Sequence, residues 1–238
     1  MEGCDKPTVF IESTASRDGY KYRCKITDVT GNVVYSEVAT MRVLSFTSHP
    51  AEAFAAVRSD SDTVIILTDV TENLTGAYLR GNITTLDGAN VTITLTNADW
   101  VYLPYTFVLG ENVTLRVPNG GLFYYAGGSV IKGTVITDAY YQRYRGTKLY
   151  VEGTMTVTSE TFILRYTDDD ANAGIYVNGG TLNASVIYFY QGTISGTNGA
   201  TINAGVYWQT NETDGQGSAN LILDNSTLKV SVNEHVAK

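Results

Sequence analysis

A degenerate repeat between residues 90 and 230 constrains the fold of this chain more than any other feature. Its clearest copies each contain two short alternating runs around a Gly, Asn or Ser break, and they occupy residues 149–157, 175–184 and 221–230. In the first copy the residues that share one parity are Leu149, Val151, Met155 and Val157. Alternation with a period of two is what a β-strand with one buried face requires.

Weaker copies of this pattern begin at Val91, Val113, Val130 and Ile194. A recurrence of roughly 20 residues indicates one supersecondary unit per repeat, stacked so that each unit buries the apolar face of the next. We therefore predict an all-β fold, a right-handed parallel β-helix (β-solenoid) with coils over residues 63–232. Leu149, Ile175 and Leu221 are expected to point into its shared core. The 23 Gly and 17 Tyr suit strands and tight turns.

One helix is predicted, over residues 46–58, where Ser48 can cap the N-terminus and Pro50 suits the first turn. An acidic turn and an apolar run at residues 63–67 follow, and the run predicts a strand buried on both faces. We expect the helix to cap the open end of the solenoid. Such an end otherwise exposes apolar side chains and unpaired backbone groups.

Residues 8–45 predict separate β structure, with a hairpin at Thr30-Gly31-Asn32. The segments DGYKYRC, TDVTGN and SEVATMRV within this stretch resemble the last three strands of a bacterial immunoglobulin-like surface domain. Tyr22, two residues before Cys24, falls where such domains place their tyrosine-corner residue. The resemblance implies a partial Ig-like segment at residues 1–45, ahead of the solenoid at residues 46–238.

The helix, acidic turn and apolar strand that follow resemble the entry into β-helical domains of large bacterial surface proteins. Together the two resemblances imply an extracellular piece of a larger cell-surface protein, with adhesion or display as its function. The partners they imply are a glycan or a host or cell-surface protein, in addition to the rest of the surface protein itself.

Charge and composition exclude several other functions. The formal charge of −8 leaves no basic stripe for phosphate groups, which excludes nucleic acid as a partner. The sequence contains no apolar run of about 18 residues, so no membrane span is predicted. Cys4 and Cys24 do not make a disulfide framework, and the sequence leaves open whether they are bridged. No zinc spacing or nucleotide-binding loop occurs, so no such cofactor is predicted.

Aromatic residues in two predicted loops are the candidate ligand contacts. Insertions in solenoids fall in loops, often on the binding face, and here they are expected at residues 137–146, 166–174 and 207–217. The candidates in the first and last of these are Tyr140, Tyr141, Arg143, Tyr144, Tyr207 and Trp208. A tyrosine ring can stack on a sugar while its hydroxyl forms a hydrogen bond. The alternative is that these rings lie flat between coils as structural ladders.

The second loop contains three carboxylates, Asp168, Asp169 and Asp170, which are hard oxygen ligands suited to calcium. The alternative is a solvated acidic loop. Paired carboxylates can also hydrolyse a glycosidic bond, so a polysaccharide-active β-helix lyase or hydrolase using this loop is the alternative function. Because no catalytic base can be identified beside these residues, we predict a non-catalytic module whose only candidate cofactor is structural calcium.

Overall fold

The computed structural model describes residues 17, 19–41, 50–74, 78–97, 99–142, 146–164, 173–209 and 219–232. Among the described residues, 61% are in strands and 3% are in helix, which confirms the predicted all-β class. The chain divides into two compact units, Met1–Ser45 and Phe46–Lys238.

The first unit contains two antiparallel strand pairs. Strands β1 (Lys21–Tyr22) and β4 (Ala39–Thr40) pair with each other, as do β2 (Lys25–Thr27) and β3 (Val33–Tyr35). The second pair confirms the hairpin predicted at residues 30–32. Within its turn, the Asp28 carboxylate accepts hydrogen bonds of 2.7–2.8 Å from the backbone and side chains of Thr30 and Asn32. These bonds, from Asn32 first, lower the pKa of Asp28 to about 2.

The second unit begins with the one helix among the described residues, α1 (Pro50–Ala56), inside the range predicted to be helical. Ala53 and Phe54 are buried, as is Val57 just after the helix. The helix lies against strand β6 (Val70–Glu72). Its buried residues therefore belong to the core of this unit.

Seventeen strands of the second unit form two parallel sheets. The eight strands of sheet A are β5 (Thr63–Ile66), β7 (Gly81–Thr85), β10 (Phe107–Leu109), β12 (Ser129–Ile131), β14 (Lys148–Val151), β16 (Gly174–Asn178), β18 (Gly192–Thr197) and β20 (Ala219–Leu223). The nine strands of sheet B are β6, β8 (Val91–Leu95), β9 (Val101–Leu103), β11 (Val113–Tyr124), β13 (Thr134–Gln142), β15 (Thr154–Leu164), β17 (Thr181–Phe189), β19 (Thr201–Gln209) and β21 (Thr227–Val232).

The chain passes from a strand of sheet A to a strand of sheet B and back, and we call each such pair a coil. This arrangement is compatible with the predicted β-solenoid. Leu149 pairs with Ile175, and Ile194 pairs with Leu221, as the repeat alignment predicts. Leu149 and Ile175 are buried, whereas Leu221, near the last strand of sheet A, is half-buried.

Three of the four weaker repeat copies are out of register with the strong copies, whereas the copy at Ile194 pairs with Ile175 as predicted. Val91 and Val113 lie in sheet B rather than sheet A, and Val130 pairs with Tyr150 instead of Leu149. Both sheets carry the same alternation, so periodicity alone does not show to which sheet a run belongs. The strand at residues 63–67 also differs from its prediction. Only Val64 and Ile66 are buried, whereas Ile65 is 38% exposed because sheet A ends at this strand and its outer face is uncovered.

The long strands of sheet B each have two segments. In β17, Leu182 and Ala184 are buried in the first segment, and Ile187 and Phe189 are buried in the second, so the alternation changes phase between them. The pairing registers of β11 with β13 and of β13 with β15 shift at the same place along the strand. Each coil therefore presents two outer surfaces on sheet B, one from each segment.

The corner between the two sheets brings backbones close together. The Thr154 N–H donates to the Gly133 carbonyl oxygen at 2.9 Å, across neighbouring coils. A Cβ atom added at Gly153 would collide with the carbonyl oxygens of Lys132 and Gly133. Glycine is required at this corner because the adjacent coil occupies the space of a side chain.

Candidate functional site: an outer aromatic row

The second segments of sheet B align six residues at one register position. Successive pairings place them side by side on β9, β11, β13, β15, β17 and β19, in the order Tyr102, Phe123, Tyr141, Ile163, Tyr188 and Trp208. We call these six residues the aromatic row. Five of them are aromatic, and two, Tyr141 and Trp208, are ligand contacts predicted from the sequence.

The row residues whose side chains are described lie on the outer face of the sheet, as the burial of their sequence neighbours shows. Val101 and Leu103 are 3% and 2% exposed, whereas Tyr102 between them is 50% exposed. Tyr141 likewise is partly exposed between the buried residues Tyr140 and Gln142. Because successive side chains of a strand point to opposite faces, Tyr102, Phe123, Tyr141 and Tyr188 are directed away from the core.

Phe123 is the centre of a cluster of touching rings at one end of the row. Its ring centroid is 5.4 Å from that of Tyr102, 5.0 Å from Tyr141 and 5.8 Å from Tyr125. Two of these contacts are edge-on, at interplanar angles of 66° and 69°, and the third is tilted. Offset and edge-to-face arrangements are the favoured geometries of aromatic pairs. The rings therefore hold one another in position on the surface.

Trp100 extends this cluster along the sheet. Its indole is 6.1 Å from the ring of Phe123 and 6.2 Å from that of Tyr141, and the residue is 36% exposed. The six-membered part of the indole lies over Gly121, where a Cβ atom would collide with it. The missing side chain at Gly121 thus makes room for Trp100 to lie against the sheet. The exposed rings of Trp100 and Tyr102 make this cluster the candidate site.

The structure separates Tyr140 and Tyr207 from the other predicted contacts. Tyr140 is 1% exposed, and its hydroxyl donates to Gln142 Oε1 at 2.8 Å. The Gln142 amide donates in turn to the carbonyl oxygens of Thr147, at 2.7 Å, and Gly174. Tyr140 is therefore part of the core and is excluded from the surface site.

Tyr207 repeats this arrangement in a later coil. Its hydroxyl donates to Gln209 Oε1 at 2.8 Å, and the Gln209 amide donates to the Ala219 carbonyl oxygen at 2.9 Å. Burial raises the pKa of Tyr207 above the ordinary tyrosine value. In both places a Tyr-x-Gln motif joins the end of a sheet B strand to the start of the next sheet A strand.

Tyr124 occupies the register position of Gln142 in the preceding coil and serves the same purpose. Its hydroxyl donates to the Lys148 carbonyl oxygen at 2.8 Å and accepts from the Ser129 N–H at 3.1 Å. Burial, partly offset by the bond from Ser129, raises the pKa of Tyr124 to about 12. A neutral hydroxyl is thus held at this corner across the physiological pH range.

The predicted loop location of the aromatic residues is wrong. Tyr140 and Tyr141 lie in β13, and Tyr207 and Trp208 lie in β19. Strand β13 extends into the first segment expected to be a loop, as far as Gln142, and β19 extends into the last, as far as Gln209. The second segments of these strands change phase and so break the alternation on which the sequence prediction was based. The remaining candidates, Arg143, Tyr144, Asp168, Asp169 and Asp170, lie outside the described residues.

Trp100, Tyr102, Phe123 and Tyr125 were missed by the sequence analysis. A signal for three strands of the row exists in the short segments VYL, GLFY and AYYQ, which align once the pairing is known. Among the described residues, no group of three or more His, Cys, Asp or Glu is arranged to hold a metal ion. Nor does any helix there have the length and apolarity to cross a membrane.

No protein-family model matches the chain, and neither a curated protein nor a solved structure does. The geometry of the aromatic row is therefore the main indication of function.

Proposed function

We propose that this chain is a non-catalytic binding module of a larger bacterial cell-surface protein, and that it binds glycans through the aromatic row and Trp100. The observation that carries the proposal is the alignment of Tyr102, Phe123 and Tyr141 on the outer face of sheet B, with their rings in contact. Adhesion or display outside the cell is the corresponding role, and it is supported by the sequence resemblance to surface proteins.

The chemistry of the row suits sugars. The apolar face of a pyranose ring stacks on an aromatic ring, while tyrosine hydroxyls form hydrogen bonds at the edge of the sugar. Tyr102 and Trp100 are the most exposed rings of the cluster, at 50% and 36%. They are held by neighbouring rings, so little side-chain entropy is lost when a ligand binds.

The proposal includes the architecture that displays the row: a right-handed β-solenoid with α1 as its cap. Right-handedness is supported by the parallel strands within each sheet, because crossover connections between parallel strands are almost always right-handed. The cap is supported by the burial of Ala53, Phe54 and Val57 and by the contact of α1 with the first strand of sheet B.

A glycan screen with the full chain tests the binding function, followed by titration of the best neutral and acidic binders. We expect Tyr102→Ala and Trp100→Ala to weaken binding by up to about tenfold each, because one aromatic stacking contact contributes about 0.5–1.5 kcal/mol. Gly121→Val should also weaken binding, since it displaces the indole without removing a ring. The matched control is Tyr150→Ala, which removes a ring stacked on Tyr176 in sheet A.

Three results would contradict the proposal. One is the absence of glycan binding, and another is binding that falls equally in the sheet A control. The third is binding to a host or cell-surface protein alone, which would assign the row to protein recognition. Turnover of a polysaccharide that Asp169→Ala abolishes would instead favour the alternative lyase or hydrolase.

A further inference from the structure

We infer that the glycan is an uncharged, extended polysaccharide that lies across the strands of sheet B, along the aromatic row. This inference rests on the proposed function and adds the direction and charge class of the ligand. Two observations carry it, the length of the row and the absence of charged residues from the second segments of its strands.

The direction follows from the register. The row crosses six strands from Tyr102 to Trp208, and neighbouring strands are about 4.8 Å apart, which gives the row a length of about 24 Å. The residues of the row follow one another from strand to strand. Along a single strand, the second segment is only about four residues long, so the row cannot extend in that direction. A disaccharide therefore covers a small part of the row, and only an extended chain of several sugars contacts Tyr102 and Tyr188 together.

The charge class follows from the strands that carry the row. Their second segments are VYL, GLFY, AYYQ, TFIL, VIYF and VYWQ, and none contains a charged residue. The described charged residues that precede these segments are acidic: Asp99 precedes Trp100 and is exposed, Asp138 precedes the second segment of β13 and is half-buried, and Glu160 precedes that of β15. Arg143 and Arg165, which follow two of the segments in the sequence, lie outside the described residues. The whole chain also has a formal charge of −8. Uronic or sulfated sugars would be repelled here, whereas neutral sugars would not.

Isothermal titration of the full chain with oligosaccharides of increasing length tests both parts. The neutral probes are the disaccharide, tetrasaccharide and hexasaccharide of the cello-, xylo- and manno- series, and the acidic probes are oligogalacturonides of the same lengths. We expect affinity for a neutral series to rise about tenfold from disaccharide to hexasaccharide, as further rings become stacked. Acidic probes of equal length should bind at least several-fold more weakly at low ionic strength, and added salt should reduce the difference.

Variants at the two ends of the row test the direction. Tyr102→Ala and Tyr188→Ala should each weaken binding of the hexasaccharide several-fold, although the two positions lie four strands apart. Tyr150→Ala in sheet A should leave the affinity unchanged. If thermal unfolding shows that Tyr188→Ala is destabilised, Tyr188→Leu provides the same test with an apolar side chain retained.

The outcomes separate this inference from the proposed function. If no neutral or acidic probe binds, both fail. If acidic probes bind more tightly, or if affinity is independent of length, glycan binding stands and this inference is overturned. The same holds if Tyr102→Ala weakens hexasaccharide binding while Tyr188→Ala and Tyr188→Leu have no effect.

Discussion

The inner and outer faces of the second segments of sheet B use the same residue types for different purposes. Tyr140 and Tyr141 are adjacent in sequence, yet the first is 1% exposed and bonded to Gln142, whereas the second lies in the outer aromatic cluster. Tyr207 and Trp208 occupy the corresponding positions in a later coil. Inward tyrosines thus form hydrogen bonds at the corners of the coils, whereas outward tyrosines are part of the aromatic row.

The difference teaches that aromatic content is not by itself a sign of binding in a stacked β fold. An inward tyrosine must find a hydrogen-bond partner for its hydroxyl because the group is buried. An outward tyrosine has no such requirement, and its ring is available to a ligand. The inner face should therefore govern stability, and the outer face should govern binding.

The largest expected effect is on stability at the inner face. Phe189 is fully buried, so Phe189→Ala should lower the free energy of unfolding by about 3–5 kcal/mol through lost burial and a cavity. Tyr102→Ala, on the exposed row, should lower it by about 1 kcal/mol or less. Chemical denaturation of both variants measures the difference. Equal losses would mean that the row is a structural ladder and would remove the distinction between the faces.

A smaller effect is expected when only one hydroxyl is removed. Tyr140→Phe leaves Gln142 Oε1 without its donor at 2.8 Å and should lower the free energy of unfolding by about 1–3 kcal/mol. Tyr141→Phe is the matched control on the outer face and should change it by less than about 0.5 kcal/mol. Thermal or urea unfolding of the pair is the measurement. A larger loss for Tyr141→Phe would contradict the assignment.

Alkaline pH should weaken the corner that the buried Tyr124 hydroxyl closes. The pKa of Tyr124 is raised to about 12 from 10.0, so below pH 10 the hydroxyl is neutral in both the folded and the unfolded state. Above pH 10 the unfolded state loses its proton first, and the stability contributed by the neutral hydroxyl is lost progressively up to about pH 12. We expect this residue to account for about 1–2 kcal/mol of that loss.

Comparing unfolding at pH 9 and pH 11 in wild type and Tyr124→Phe isolates this contribution. The variant should be less stable at pH 9, because it lacks the hydrogen bonds to Lys148 and Ser129, and its stability should fall less between the two pH values. An equal fall in both proteins would show that Tyr124 titrates at an ordinary pKa.

The sequence predicted the inward face of the coils well. Leu149, Val151, Met155 and Val157 share one parity and are all 2% exposed or less. Hydrophobic alternation carries this information locally, so it needs no knowledge of pairing. The phase of the repeat was harder to predict, because coils differ in length: Asn183 bonds Thr156 from 27 residues away, whereas Asn203 bonds Asn183 from 20.

The candidate site was predicted only in part for the same reason. Tyr141 and Trp208 were identified, but Trp100, Tyr102 and Phe123 were not, because their alignment depends on strand register rather than on any local motif. The inward positions of Tyr140, which is buried, and of Tyr207, which is half-buried, were equally hidden. They depend on a phase change within each long strand that separates inward from outward residues.

The most direct measurement uses the position of the tryptophans. The chain contains two Trp residues, so Trp208→Phe leaves Trp100 as the sole tryptophan reporter, 36% exposed beside Phe123 and Tyr141. We predict that a saturating neutral hexasaccharide from the titrations lowers the acrylamide quenching of its fluorescence, because the bound sugars cover the indole. Unchanged quenching at a concentration where calorimetry shows full binding would place the glycan elsewhere and contradict the account.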